Sequence, residues 1–317
     1  MSTRTLLDAN HITGWYPDDW SEFVGQPLAK RMLRVAAKSA RERHTPLGHV
    51  LLASPFPGIG KTTLALLTAA ELGGQCKLLS GKINADAARI AMATLDDGDV
   101  LFVDEIHRLV SKGSKAGAEW LLHLMTDGVI LGPAGPEPQP RVTIIGTTTD
   151  AGLLPETVLS RFQLRPKLIR YDEGEALEIA MRMAKGSFDG LPFPSLDTFK
   201  AVTAAANRNP RTMRNLLDAI RDIALVEGQA TEDYDITEAL TWLSLSVDGL
   251  TESALSYLRV LVEDFGGVAG SQALAAQMGE PIEEAERLLI DRGMVKRTQR
   301  GRVATGDGIR RIKKEQE

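Results

Sequence analysis

Cysteine occurs once in the 317 residues, at Cys76, so no intrachain disulfide and no thiolate metal cage can form, a usage that suits a reducing cytosol. Long apolar runs are missing as well. None approaches the roughly 20 residues a membrane span needs, and Met1 to Tyr16 lacks the apolar core of a signal peptide. A soluble, cytoplasmic protein with no membrane partner is expected. A positive balance is also missing: 37 Lys and Arg against 42 Asp and Glu leave a net charge of −5, which argues against wholesale coating of nucleic acid. What remains is ordinary for a globular chain, 43% apolar and 25% charged, with room for two or three domains that each bury a core.

Charge is unevenly spread. From Asp291 to Glu317 nine basic residues (Arg292, Lys296, Arg297, Arg300, Arg302, Arg310, Arg311, Lys313, Lys314) face four acids (Asp291, Asp307, Glu315, Glu317), nine minus four giving a local +5. Such an edge on an acidic chain points to a polyanion, although Lys313 and Lys314 read better as a solvated tail.

Periodicity predicts a helix from Pro27 to about Glu42, with Leu28, Met32, Leu33 and Ala36 on its apolar face. His49 to Ala53 reads as a short buried strand stopped by Ser54-Pro-Phe-Pro-Gly58, and Thr62 to Leu72 as the following helix. Val100 to Val103 and Val142 to Ile145 are two more apolar strands. Strands apolar on both faces that alternate with helices indicate a parallel sheet covered on both sides. Gly128 to Pro140 is too rich in Pro and Gly for a helix and reads as a loop or hairpin tip. After about Arg170 helices dominate, at Glu173 to Lys185, Ser195 to Ala206, Pro210 to Glu227 and Ile236 to Leu243. From Asp248 the pattern changes again. Helices at Glu252 to Glu263, Ser271 to Met278 and Ile282 to Asp291 precede two extended runs, Val295 to Thr298 and Arg302 to Thr305, turned at Arg300-Gly301; this suggests a winged-helix module.

Two motifs carry the chemistry. In Gly58-Ile-Gly-Lys-Thr-Thr63, closely spaced glycines lead from a strand into a helix, so backbone N–H groups and the helix N-terminus converge on phosphate. Lys61 then reaches the outer phosphates and the Thr62 hydroxyl completes a magnesium shell, with Gly58, Ile59, Gly60 and Thr63 forming the cradle. The strict Gly-x4-Gly-Lys-Ser/Thr spacing is not met, because five residues before Gly60 stands Pro55. The second motif, Asp99-Val-Leu-Phe-Val-Asp104-Glu105-Ile-His107, ends an apolar strand in adjacent carboxylates. Asp104 can bind magnesium while Glu105 polarises an attacking water. The expected cofactors are ATP and Mg2+, and the expected activity is ATP hydrolysis.

Around these motifs the residues allow alternatives. His107 reads as structural rather than as a ligand, and Asp96, Asp97 and Asp99 as turn formers rather than a metal cluster. Gly146-Thr-Thr-Thr149 should end a strand beside that of Asp104, where a hydroxyl senses the terminal phosphate or simply serves the strand. Arg161 and Arg211 stand near element boundaries, either as phosphoryl-stabilising groups or as surface arginines.

Taken together, His49-Val-Leu-Leu, Gly58 to Thr63, Gly98 to Leu109, Gly146-Thr-Thr-Thr, Ala151-Gly-Leu-Leu154 and Arg297-Thr-Gln-Arg-Gly-Arg-Val-Ala-Thr305 resemble the RuvB family of AAA+ motors, which drive Holliday-junction branch migration. The resemblance runs from about Phe23 to Thr305. It implies an α/β AAA+ P-loop ATPase domain (residues 1–170), a helical lid domain (171–245) and a C-terminal winged helix for DNA binding (246–317). It further implies that Thr148 is the first sensor, Arg161 an arginine finger acting in trans, Arg211 the second sensor, and Tyr171 the aromatic residue near the adenine. Arg297, Arg300 and Arg302 would face the DNA backbone from the wing, a largely sequence-independent and salt-sensitive contact. Implied partners are duplex or junction DNA, further copies of the chain in a ring, expected to be hexameric, and a RuvA-like junction-binding protein.

The chain departs from that family in four places. Ser54-Pro-Phe-Pro57 adds a residue to the phosphate loop; Val158-Leu-Ser-Arg-Phe162 keeps one arginine of two; Asp150 replaces an arginine; and Gly128 to Pro140 is shorter than the family's protruding hairpin. The leading expectation is a DNA-translocating, helicase-type ATPase of recombination and repair. The alternatives are a divergent, phage-borne clamp or helicase loader, and a nucleotide-gated DNA-binding switch with little turnover.

Overall fold

A computed structural model describes residues 16–80, 85–110, 115–132, 135–185, 187–228 and 232–314. The chain divides into two compact units, one up to Ile179 together with Asn209–Arg211, the other Ala180–Arg208 together with Thr212–Glu317.

In the first unit, α1 (Pro27–Glu42) is followed by β1 (Val50–Ala53), α2 (Lys61–Leu72), β2 (Cys76–Leu79), α3 (Ala85–Met92), β3 (Val100–Val103), α4 (Lys115–Asp127), β4 (Val129–Gly132), β5 (Gly135–Pro138), β6 (Thr143–Thr148) and α5 (Glu156–Leu159). Four strands form a parallel sheet in the order β1-β6-β3-β2. Leu164 adds one parallel bridge beside Val50 at the outer edge. Val100 to Val103 and Thr143 to Thr148 are buried at every position, as strands covered on both faces must be. The expected neighbourhood of the Gly146 and Asp104 strands is present, with Val103 opposite Gly146. Cys76 is a buried thiol outside any disulfide, its pKa pushed up to about 12 by burial and by the charge of Asp99.

The α1 helix has the expected length but buries a different face. Ala29, Leu33, Ala37 and Ala40 are buried, whereas Leu28 is 80% and Met32 44% exposed. The small alanines lie where α1 packs against α2, so the side chains that allow close approach, not the largest ones, face inward. Gly128 to Pro140 contains an antiparallel ribbon of β4 and β5, four residues a strand.

The second unit holds the last residues of α6 (Glu173–Lys185), then α7 (Leu196–Ala205), most of α8 (Pro210–Glu227), and α9 (Thr237–Trp242). Next come α10 (Glu252–Arg259), β7 (Val268–Ala269), α11 (Ser271–Met278), α12 (Glu283–Asp291), β8 (Val295–Thr298), β9 (Gly301–Ala304) and α13 (Gly306–Lys313). The expected long helix from Glu252 breaks into a π-turn at Val260–Asp264. Three strands in the order β7-β9-β8, all antiparallel, give the winged-helix ribbon. Leu250, Tyr257, Leu258, Leu261, Leu274 and Leu289 form its buried core.

The helical segment and the winged helix share this unit and are joined by polar contacts. Arg292 Nη2 donates to the Ala205 carbonyl at 2.8 Å and to the Gly249 carbonyl at 3.4 Å, and Asn207 Nδ2 donates to Asp291 Oδ2 at 3.0 Å. The long fork of Arg292 thereby satisfies carbonyls at the end of α7, which have no acceptor role left within the helix.

Candidate functional site

The loop after β1 enters α2 through Gly60, whose φ of 94° is left-handed and favours glycine. A Cβ there would lie 3.0 Å from the Tyr171 hydroxyl and 3.1 Å from Phe23 Cζ. Gly58 is also left-handed, and a Cβ would come within 2.3 Å of Asn209 Oδ1. These glycines let other groups approach the loop backbone. Tyr171 donates its hydroxyl to the Ile59 carbonyl at 3.0 Å, and burial raises its pKa, so it remains a donor. Asn209 Nδ2 donates to the Pro57 carbonyl at 3.0 Å while its Oδ1 accepts the Arg211 N–H at 3.0 Å. Arg211, expected as the second sensor, therefore starts its side chain beside the phosphate loop, its Cβ 3.1 Å from where a Cβ on Gly58 would stand.

Lys61 lies buried inside the loop. Its Nζ donates to the Phe56 carbonyl at 3.2 Å and the Ser54 carbonyl at 3.4 Å, partners a phosphate oxygen can replace. Phe56, part of the departing Ser54 to Pro57 segment, has the Arg170 guanidinium 4.3 Å from its ring centroid. Thr62 and Thr63 occupy the first turn of α2, where N–H groups point out of the helix end toward any bound anion.

The carboxylates stand at the carboxyl end of β3. Thr147 Oγ1 donates to Asp104 Oδ1 at 2.5 Å and accepts the Glu105 N–H at 3.1 Å, so one hydroxyl orders both residues. Glu105 has φ 50°, an uncommon left-handed conformation for a residue with a side chain, which turns its carboxylate out of the strand path. Its Oε2 accepts the Thr149 N–H at 3.1 Å and the Thr149 hydroxyl at 3.3 Å, and lies 3.2 Å from His107 Nδ1. The hydroxyls that reach the carboxylates are those of Thr147 and Thr149, which the sequence reading did not single out. Thr148, expected as the first sensor, instead places its buried hydroxyl 2.9 Å from His107 Nδ1. Asp99 closes the expected turn by accepting the Asp96 N–H, and in addition accepts the distant Gln75 N–H, while Asp97 accepts the N–H of Arg141, 44 residues away. Arg161 is exposed just after α5, away from any described ion pair.

These residues suit a magnesium nucleotide. Lys61, Thr62 and the α2 N-terminus offer cationic and N–H donors to phosphate. Thr62 and the second oxygen of Asp104, which accepts no hydrogen bond among the described residues, offer the hard oxygen ligands that magnesium prefers.

On the wing, the three expected DNA-facing arginines differ. Glu286 of α12, 2% exposed, binds Arg302 Nε through Oε2 at 3.0 Å and Arg297 Nε through Oε1. Arg297 is still 64% exposed and Arg302 only 23%, while Arg300 stands exposed in the turn. Its bond to Glu286 raises the Arg302 pKa, and the hydroxyl of buried Tyr257 beside this group is pushed up to about 12, chiefly by burial and then by the charge of Glu286.

Comparison with known proteins agrees with this arrangement. Residues 15–168 match the family model of the Holliday junction DNA helicase RuvB P-loop domain, and residues 247–313 that of the RuvB C-terminal winged helix domain. The Holliday junction branch migration complex subunit RuvB of Methanoregula boonei is 37% identical over 324 residues, covering 96% of this chain and 93% of its own. That of Oenococcus oeni is 37% identical over 306 residues, covering 90% and 86%. The solved Thermotoga maritima RuvB Holliday junction branch migration motor superposes with a TM-score of 0.80 at 30% identity, over 94% of this chain and 97% of that one. With both domain models matched in order and relatives 37% identical over nearly its whole length, the chain belongs to the RuvB family.

Proposed function

We propose that the chain is a ring-forming, DNA-dependent ATPase that couples ATP hydrolysis to translocation of duplex DNA and migration of Holliday junctions. The observation that carries this reading is the placement of the phosphate loop after β1 and of Asp104-Glu105 after β3, on either side of β6 and at the same carboxyl edge of the sheet. Ligands of open parallel sheets bind beyond that edge, so a triphosphate cradled by the loop would extend toward the carboxylates.

Lys61 exchanges the Ser54 and Phe56 carbonyls for phosphate oxygens, and Tyr171 and Arg211 bracket the nucleotide. Thr62 and Asp104 would hold magnesium, which when bound would supply neutralisation of charge on the phosphoryl group. Glu105 orients and polarises the attacking water, and Thr147 keeps the two carboxylates apart in role by bonding one side chain and the other residue's backbone. Arg161, exposed and unpaired among the described residues, acts on the site of a neighbouring copy in the ring, taken as a hexamer. Residues 1–170 supply the motor, 171–245 the lid and 246–317 the DNA-binding wing. Arg297 and Arg300 bind the DNA backbone, with Arg302 behind them, and the β4-β5 ribbon is the docking element for a RuvA-like partner. The work is cytoplasmic; no helix among the described residues is long and apolar enough to cross a membrane.

Turnover of ATP with and without a four-way junction, in the wild type and in Glu105→Gln, tests the reading. Junction-stimulated turnover lost in the variant is expected, and background turnover in the wild type would leave only a nucleotide-gated switch. Branch migration assayed with and without a RuvA-like protein then separates this motor from a clamp or loader.

A further inference from the structure

The sequence leaves His107 with a structural role, but its position in the site is specific. Nδ1 lies 2.9 Å from Thr148 Oγ1 and 3.2 Å from Glu105 Oε2. The tautomer follows from the hydroxyl's other bonds. Thr148 Oγ1 donates its single proton to the Asp150 carbonyl at 3.1 Å and accepts the Asp150 N–H at 3.1 Å. With that proton directed at the carbonyl, the hydroxyl offers the imidazole a lone pair, and the carboxylate oxygen 3.2 Å away, which can only accept, favours the same Nδ1–H tautomer. The same nitrogen lies within 3.2 Å of the carboxylate, so its positive hydrogen end faces Thr148 with Glu105 Oε2 close beside it.

Glu105 Oε2 thereby accepts two hydrogen bonds, from the Thr149 N–H and the Thr149 hydroxyl, and has the His107 imidazole as a third polar neighbour, Nδ1 at 3.2 Å. Oε1 accepts no hydrogen bond among the described residues. A carboxylate with one oxygen fully engaged and the other open has a defined basic atom and a defined direction in which to present it. We infer that His107 is a positioning residue for ATP hydrolysis, its imidazole, held by Thr148, packing its Nδ1 side against Glu105 Oε2 so that Oε1 alone orients the attacking water. This rests on the reading of Glu105 as the water-activating group.

His107 touches neither the phosphate loop nor, through any described bond, Asp104, so its loss should spare nucleotide binding. The left-handed backbone at Glu105 makes the support necessary: a side chain leaving a strained turn has fewer backbone constraints on its direction than one within the strand. Thr148 acts one step further out, holding the imidazole as the imidazole holds the carboxylate. An orienter behind a base behind a reactive group is a recurring arrangement in hydrolases of unrelated fold.

Two substitutions separate the donor from mere bulk. In His107→Asn the amide nitrogen stands as many bonds from Cβ as Nδ1 does, whereas in His107→Gln it lies one bond further out. With wild type and Glu105→Gln as references, steady-state ATP turnover and the affinity for a fluorescent nucleotide are measured for these and for His107→Leu. Expected are a kcat for His107→Leu and His107→Gln lower by about 10- to 100-fold with KM and nucleotide affinity unchanged, and a kcat for His107→Asn within a few-fold of wild type. Loss of turnover in Glu105→Gln alongside full turnover in His107→Leu would overturn the inference alone. Equal losses in the Asn and Leu variants, or losses that appear in KM and affinity, also overturn it, since the donor at Nδ1 would then not matter. Full turnover in Glu105→Gln overturns instead the reading on which the inference stands.

Discussion

Arg302 on the wing donates its Nε to the buried Glu286 carboxylate of α12 at 3.0 Å, so this arginine of the basic edge has an acidic partner inside the fold. Glu286→Ala removes the anchor of both Arg302 and Arg297. A fully buried pair broken on one side costs about 3–5 kcal/mol, but both arginines can turn to water, so about 1–2 kcal/mol is expected here. Urea denaturation followed by far-UV circular dichroism measures it, and an unchanged midpoint would remove Glu286 from the account of wing stability.

DNA binding should reflect the same hierarchy. Arg300 is exposed in the turn and Arg297 is 64% exposed despite its bond to Glu286, so Arg300→Ala and Arg297→Ala should each lower the slope of log affinity against log salt by about one. Arg302→Ala should lower affinity with a smaller change in slope, because its charge is already met by Glu286. Fluorescence anisotropy on duplex DNA across a salt series decides between the three, and equal slopes for all variants would mean that Glu286 does not set them apart.

Gly249 has φ +71°, and a Cβ there would lie 1.7 Å from the Ala205 carbonyl oxygen that Arg292 holds. Gly249→Ala should destabilise the chain by roughly 2–3 kcal/mol through backbone strain and displacement of that carbonyl. Arg292→Ala should cost less, about 1.5 kcal/mol, because only its bond to the Ala205 carbonyl is short and the others are 3.4 Å or longer. Thermal unfolding of both variants gives the order, which a milder Gly249→Ala would reverse.

Tyr171→Phe removes the hydroxyl bonded to the Ile59 carbonyl without changing the ring beside Gly60. A loss of about 1 kcal/mol, or roughly fivefold in nucleotide affinity, is expected because the loop backbone is less well fixed. Nucleotide titration should register the change; identical affinity would mean the phosphate loop is ordered without this contact.

His49 accepts the Ile144 N–H at Nδ1, 3.0 Å, so protonation of that nitrogen would break a bond at the start of β6. Burial lowers its pKa below the ordinary 6.5, with a hydrogen bond to the Met125 backbone working the other way. The unfolded chain therefore binds the proton first, and stability falls as pH drops below about 6.5 until the folded-state pKa is reached. His49→Gln should flatten stability against pH between about 7 and 5, as read from urea midpoints; a slope equal to the wild type would assign the acid sensitivity elsewhere.

The threonines of β6 mark how far sequence reading reaches. Successive side chains on a strand point to opposite faces, so Thr147 and Thr148 must differ, while Thr149 follows in the bend that ends β6. Which face looks toward Asp104 and Glu105 is invisible in a strand buried on both sides, where no polar alternation survives. The helix α1 poses the same problem with a different period. Leu28 and Met32 form one apolar stripe and Ala29, Leu33, Ala37 and Ala40 another, and only the packing partner selects between them. The short strand Cys76–Leu79, with no pattern of its own beyond four residues, takes its place in the sheet from its parallel pairing to β3.

The sequence alone determined the chemistry that local order can encode: a glycine-rich turn before a helix, two carboxylates at the end of an apolar strand, and a basic ribbon following three helices. Each depends on neighbours in the chain, so the residue types and spacing suffice. Tertiary structure alone decided which oxygen of Glu105 is held and which is open, which threonines reach the carboxylates, and that Glu286 binds two wing arginines. Those depend on groups brought together from distant parts of the chain by core packing, and hydrogen bonds act only over about 3 Å, a scale that spacing along the sequence does not fix.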